Sequence, residues 1–146
     1  MSHIVPRFFF RRAKQFAKGD TLHRVDGESM LLSDRQNPEP LLCESCEATF
    51  GQWENYVSKI SINTDLTFPA YENIASKRKS ATHTYQIGDG AHISMGDVHK
   101  FALSVVWRAS VSTQKDFSTV FLGPYESEAR DFLIGSAAKT PNRCTQ

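Results

Sequence analysis

The sequence has no long hydrophobic run, no excess of charge of one sign and only three cysteines in its 146 residues. No stretch approaches the roughly 20 apolar residues that a membrane-spanning helix needs. The three phenylalanines at residues 8–10 are too short a run for a signal peptide. A formal net charge of +1 excludes a global attraction to nucleic acid, so any such affinity must come from a local patch. We therefore expect a cytoplasmic protein that does not enter the membrane.

The small, odd number of cysteines argues against a disulfide framework in a reducing compartment. Cys43 and Cys46 nevertheless have the spacing of a zinc knuckle, because a Cys-x-x-Cys turn directs both thiols at one point. A structural zinc site needs four ligands. Candidates for the other two are His3, His23, Cys144 or a second copy of the chain. Two interpretations stay open, a bound zinc ion and a pair of buried thiols.

The composition of the chain is typical of one globular domain, with 40% hydrophobic and 23% charged residues. We predict a single domain, residues 1–146, in an α+β fold, with a helix-rich body and a small β-hairpin or sheet. The expected hairpin pairs residues 21–25 with 30–32 across the turn Asp26-Gly27. Residues 61–139 form the mixed helical and strand part, and residues 140–146 form a polar tail.

Two stretches have strong helical periodicity. Residues 43–60 place four apolar side chains on one stripe: Phe50, Trp53, Val57 and Ile60. Residues 97–111 start at Asp97, a good N-cap, and carry a wide apolar face: Val98, Phe101, Ala102, Val105, Val106 and Ala109. Trp107 and Arg108 flank that face, where packing and pairing are commoner than catalysis. Residues 117–122 are predicted to be extended, before a last helix that starts at Gly123-Pro124.

Basic residues concentrate in two clusters, which are the candidate binding residues. The first lies on a short amphipathic helix predicted to start at Pro6 and to end near Gly19: Arg7, Arg11, Arg12 and Lys14. The second lies between two serines: Lys77, Arg78 and Lys79. Such clusters favour contact with phosphate groups. The alternative is a solvated surface without a binding role.

Three strings occur in an order that carries a family resemblance: Ser2-His3-Ile4-Val5-Pro6, then Cys43-Glu44-Ser45-Cys46-Glu47, then Trp107-Arg108. Together they resemble small bacterial and phage proteins related to HNH, or ββα-metal, endonucleases. In such proteins a first Cys-x-x-Cys precedes the histidine string and completes a four-cysteine zinc site. This chain begins two residues before His3. We therefore expect a relative without the first pair, whose residues 1–60 are an HNH-like part with a zinc-knuckle remnant.

The resemblance implies catalytic roles for two residues. In HNH enzymes the histidine of the first string is the general base, and a divalent ion stabilises the leaving oxygen. Carried over, His3 is the base and Glu47 lies near the metal. The helix after Cys46 departs from the pattern, because it offers Glu47, Glu54 and Asn55 but no histidine. A base close to a chain end is also poorly oriented.

We therefore expect a non-enzymatic binding protein on a degenerate HNH-like scaffold. The size and near-neutral charge fit a phage or mobile-element inhibitor of a bacterial nucleic-acid-targeting defence complex of the CRISPR type. Its partners would be that protein complex and its nucleic acid. One alternative is a metal-dependent HNH-type endonuclease with His3 as general base. Another is a structural or toxin-system partner that forms a homo-oligomer through the phenylalanine-rich first helix.

Overall fold

Helices dominate the computed structural model of the chain. The structure describes residues 2–16, 23–26, 29–32, 38–63, 65, 67–72, 74–79, 82–87 and 93–135, and only the backbone of the strand residues and Glu72. The helices are α1 (Arg7–Phe16), α2 (Glu44–Ser61), α3 (Pro69–Glu72), α4 (Met95–Val111) and α5 (Glu126–Ile134). Two 3-10 turns, Lys115–Phe117 and Gly123–Tyr125, connect α4 to α5.

Four short strands pair two by two. They are β1 (His23–Asp26), β2 (Ser29–Leu32), β3 (Ile74–Lys79) and β4 (Thr82–Ile87), which form separate antiparallel pairs β1–β2 and β3–β4. Among the residues whose burial is described, 71% are helical and none belongs to a strand. The predicted α+β fold class, with a small β-hairpin or sheet as part of the domain, is therefore wrong, because the part of the chain whose side chains are described is predominantly α. The reason is that its apolar side chains recur at helical spacing.

The core lies where α2, α4 and α5 meet, with α1 packed beside them. Its buried members are Phe8, Phe50, Trp53, Val57, Phe101, Trp107, Ala129 and Leu133. The Phe50 ring lies 5.2 Å from Trp53 and 6.2 Å from Trp107, the latter edge-on. Aromatic pairs at these distances add about 1 kcal/mol each beyond the burial of their area. Within the described residues, every helix is too short or too polar to cross a bilayer.

The start of α4 is fixed by a serine cap. The Ser94 hydroxyl accepts a hydrogen bond from the Asp97 N–H at 3.3 Å, so Ser94 is the N-cap and Asp97 lies in the first turn. The predicted cap at Asp97 is therefore wrong by one turn, although its charge still favours a helix N-terminus. The Tyr56 hydroxyl accepts from the Ser94 N–H at 2.6 Å and thereby ties the start of α4 to α2.

The end of α4 is tied to the N-terminal segment through Glu39. Its carboxylate accepts from the Ser112 hydroxyl at 2.7 Å and from the Thr113 N–H at 3.0 Å. Its backbone exchanges two hydrogen bonds with Ser2, at 2.8 and 2.9 Å. Partial burial raises the pKa of Glu39, but the bonds from Ser112 and Thr113 outweigh it and leave the pKa lowered. Residues 2 and 3 are therefore held against the helical body.

Residues 117–122 do not form the predicted extended segment. The Phe117 carbonyl accepts from the Val120 N–H at 2.9 Å, so the chain turns directly after the first 3-10 helix. Gly123 then adopts a φ of 57°, a left-handed conformation that glycine adopts without strain. The last helix proper begins at Glu126, whose carboxylate accepts from the Ser110 hydroxyl at 3.0 Å and joins α5 to α4.

Candidate functional site

A polar cavity of about 380 Å³ lies between α1 and α2 and is closed at its base by α4. It is lined by His3, Arg7, Phe8, Arg11, Glu47, Gly51, Glu54, Asn55, Ser58 and Arg108. The α2 side of this pocket follows one helical stripe, because Glu47, Gly51, Glu54 and Ser58 are spaced at i, i+4, i+7 and i+11. The pocket thus brings together the two predicted catalytic residues, His3 and Glu47, and two predicted binding residues, Arg7 and Arg11.

Arg108 forms the base of the pocket and is almost completely buried, with 1% of its surface exposed. Its Nη2 lies 2.7 Å from Glu54 Oε1, and its Nε donates to the Ser104 carbonyl at 3.2 Å. Nη1 donates to the backbone carbonyl of His3. A buried guanidinium is stable only when its charge and its N–H groups are paired. Arg108 is therefore committed to holding α4, α2 and the N-terminal segment together.

The imidazole of His3 faces Arg7 on the first turn of α1. The Arg7 Nε donates to His3 Nε2 at 2.7 Å. An imidazole nitrogen that accepts a hydrogen bond carries no proton, so His3 is neutral with its proton on Nδ1. Partial burial and then the positive charge of Arg7 lower the pKa of His3, and Glu47 opposes this only in part. Nδ1 is buried without a hydrogen-bond partner among the described residues.

Glu47 lies in the first turn of α2 and faces the N-terminal segment. One oxygen of its carboxylate accepts a hydrogen bond from the hydroxyl of Ser2, which is completely buried. A carboxylate in the first turn of a helix also interacts favourably with the helix dipole. Glu47 therefore helps to position residues 2 and 3, and through them the ring of His3.

The outer wall of the pocket is the basic face of α1, formed by Arg7 and Arg11. Both are exposed and lie one helical turn apart. Arg12 lies on the neighbouring face, where its Nη1 donates to the Gln15 side chain at 2.9 Å. The sequence of α1 contains Arg7, Arg11, Arg12 and Lys14 and no acidic residue. Phe9 and Phe16 are 44% and 51% exposed, and as the i−3 and i+4 neighbours of Arg12 they lie on the side of α1 opposite to Arg7 and Arg11.

Two of the predicted metal ligands, Cys43 and Cys46, lie at the start of α2, outside the lining of the pocket. Cys43 Sγ is 3.2 Å from Cys46 Sγ, so the Cys-x-x-Cys turn does bring both sulfurs together. Within the described residues, no three His, Cys, Asp or Glu side chains are grouped so as to hold a metal ion. The side chain of His23 and all of Cys144 lie outside the described residues. Zinc therefore stays a prediction.

The second basic cluster contributes nothing to the pocket as far as the structure describes it. Lys77, Arg78 and Lys79 lie on β3, and their side chains are outside the described residues. Sequence reasoning missed Arg108, Gly51 and Ser58 as members of the pocket. Gly51 and Ser58 could have been found from the helical stripe that starts at Glu47. Arg108 could not, because its partner Glu54 is distant in the sequence.

No protein-family model matches this chain, and neither a curated protein nor a solved structure is detectably similar to it. The relation to HNH proteins therefore stays a prediction.

Proposed function

We propose that this chain is a non-enzymatic binding protein that uses the outer wall of the pocket, Arg7 and Arg11, to bind phosphate groups of nucleic acid in a larger complex. Exposed arginines favour this, because the planar guanidinium pairs with phosphate in a bidentate manner. The observation that carries the proposal is the exposure of Arg7 and Arg11 on one face of α1, a helix that contains no acidic residue.

The choice of binding over cleavage is supported by the contacts of His3. A general base needs a free lone pair aimed at the attacking water. The one lone pair of neutral His3 accepts the hydrogen bond from Arg7 at 2.7 Å. The carboxylate of Glu47 accepts a hydrogen bond from Ser2 and positions the N-terminal segment. His3 and Glu47 therefore have a structural role in this proposal, which is to support the outer wall.

For the partner we propose a bacterial nucleic-acid-targeting defence complex, which this chain inhibits as a phage or mobile-element protein in the cytoplasm. The resemblance of its strings to HNH-related proteins of bacteria and phages supports this class of partner. A small protein with a basic helix can bind the phosphates of the nucleic acid that such a complex holds. The proposal needs no metal ion.

The test uses the full chain and a fluorescently labelled single-stranded oligonucleotide. We expect fluorescence anisotropy to show binding that weakens with salt, and Arg11→Ala to weaken it about tenfold. Lys115→Ala removes an exposed cation outside the pocket and serves as the matched control, with affinity expected to stay within twofold. Equal losses in both variants would contradict the proposed site.

A second assay separates binding from cleavage. Plasmid DNA is incubated with the protein and Mg²⁺, Mn²⁺ or Ni²⁺, and we expect no nicking. Metal-dependent nicking that His3→Ala abolishes would overturn the non-enzymatic assignment. Inhibition of a purified CRISPR-type complex by the parent protein, and its loss in Arg11→Ala, would support the proposed partner.

A further inference from the structure

The two cysteines at the start of α2 have an arrangement that the proposed binding function does not use. Cys43 is the N-cap of α2, with φ −72° and ψ 164°, and its carbonyl accepts the first helical hydrogen bond from the Glu47 N–H at 2.9 Å. Cys46 follows three residues later in the first turn. A helical turn therefore places both sulfurs on the same side of the helix.

The distance between the two sulfurs is compatible with a disulfide. Their separation of 3.2 Å is longer than the roughly 2.05 Å of an S–S bond, so both are thiols here. Rotation of the two side chains can bring the sulfurs about 1 Å closer, to the length of an S–S bond.

The two sulfurs differ in accessibility. Cys46 is buried, with 7% of its surface exposed, whereas Cys43 is only partly buried. Cys43 Sγ also lies 3.2 Å from the Ser45 hydroxyl. Cys43, as the more accessible sulfur, is therefore placed to attack a small-molecule disulfide, and Cys46 to attack the mixed disulfide that results.

We propose that Cys43 and Cys46 are a redox-active dithiol that closes reversibly to an intramolecular disulfide, with a small-molecule disulfide such as oxidised glutathione as the oxidant. This site is independent of the proposed binding function, because neither cysteine lines the pocket. It is also an alternative to zinc, since it needs no further ligands.

The reaction proceeds by two thiol–disulfide exchanges. The thiolate of Cys43 attacks one sulfur of oxidised glutathione and releases one glutathione thiolate, which leaves a mixed disulfide on Cys43. The thiolate of Cys46 then attacks the Cys43 sulfur and displaces the second glutathione. Overall, two protein thiols are oxidised, one glutathione disulfide is reduced to two thiols, and the two protons pass to the products.

The test is alkylation and mass spectrometry of the full chain in glutathione buffers of defined redox ratio. Cys144→Ser provides the background, so that only Cys43 and Cys46 carry thiols. We expect both thiols to become unreactive together at an oxidising ratio, with a peptide that joins Cys43 to Cys46 and is lighter by two hydrogen masses. We expect Cys46→Ser to retain one glutathione on Cys43, and Cys43→Ser to retain far less on the buried Cys46.

Three results would overturn the proposal. The first is that both thiols stay reactive at every redox ratio. The second is that each cysteine carries its own glutathione without an internal disulfide. The third is that the internal disulfide forms with the same midpoint ratio in native protein and in urea, since folding would then contribute nothing to the pairing. The urea comparison needs no variant that could fail to fold.

Discussion

The base of the pocket, formed by Arg108 and called here its inner wall, and the outer wall, formed by Arg7 and Arg11, carry the same type of side chain in opposite environments. Arg108 in the inner wall is 1% exposed, forms an ion pair with Glu54 and donates hydrogen bonds to the backbone carbonyls of Ser104 and His3. Arg11 in the outer wall is exposed on α1. A buried, paired arginine stabilises the fold and is shielded from a ligand, whereas an exposed one can exchange water for a phosphate. Burial and pairing therefore decide which arginines of this pocket can act in binding.

The largest effect should come from the inner wall. Arg108→Ala leaves Glu54 without its cation and removes the contact of the guanidinium with the Phe50 ring at 5.8 Å. We expect a loss of about 3 kcal/mol in the free energy of unfolding, measured by urea denaturation. A double-mutant cycle with Glu54→Gln should give a coupling energy of about 1 kcal/mol or more. A loss below about 0.5 kcal/mol would show that Arg108 does not hold the inner wall.

His3 connects the two walls and should make stability depend on pH. Its pKa in the folded protein is lowered, first by burial and then by Arg7, so the unfolded chain binds the proton more readily. Stability should therefore fall as the pH drops through the ordinary histidine value of about 6.5. His3→Gln keeps an acceptor for Arg7 but cannot titrate, and its unfolding free energy should fall less between pH 7 and pH 5. An identical fall in both proteins would contradict the lowered pKa.

The outer wall should contribute least to stability. Arg11→Ala removes an exposed side chain, and we expect the free energy of unfolding to change by less than about 0.5 kcal/mol. Thermal and urea unfolding of Arg11→Ala and Arg108→Ala, measured in parallel, would compare the losses of stability in the two variants. A loss as large as that of Arg108→Ala would mean that the two walls have the same structural role.

Much of the helical body was predictable, because its apolar residues repeat with helical spacing. Three members of the predicted stripe on α2 are buried, Phe50, Trp53 and Val57, whereas Ile60 is partly buried. The predicted face of α4 is right only in part, since Phe101 and Ala109 are buried but Val106 is 42% exposed and Arg108 is buried instead. Periodicity predicts that a charged residue lies at the surface. Arg108 is buried instead because it forms an ion pair with Glu54.

The candidate site was predictable only in part. The sequence singled out His3, Glu47, Arg7 and Arg11, and all four line one pocket. The orientation of His3 could not be foreseen, because it depends on a hydrogen bond from Arg7 and on contacts of its backbone with distant Arg108. A base near a chain end was expected to be poorly oriented, yet the buried side chain of Ser2 helps to hold this segment.

The most direct test of phosphate binding by the outer wall is the salt dependence of oligonucleotide affinity. Each phosphate contact on a single strand contributes about 0.7 to the slope of log affinity against log salt. Arg11→Ala should therefore reduce the slope by about that amount. Two controls should leave the slope unchanged: Lys115→Ala, and Arg108→Lys under conditions in which that variant is folded. An unchanged slope in Arg11→Ala, or a slope near zero in the parent protein, would contradict phosphate binding at this wall.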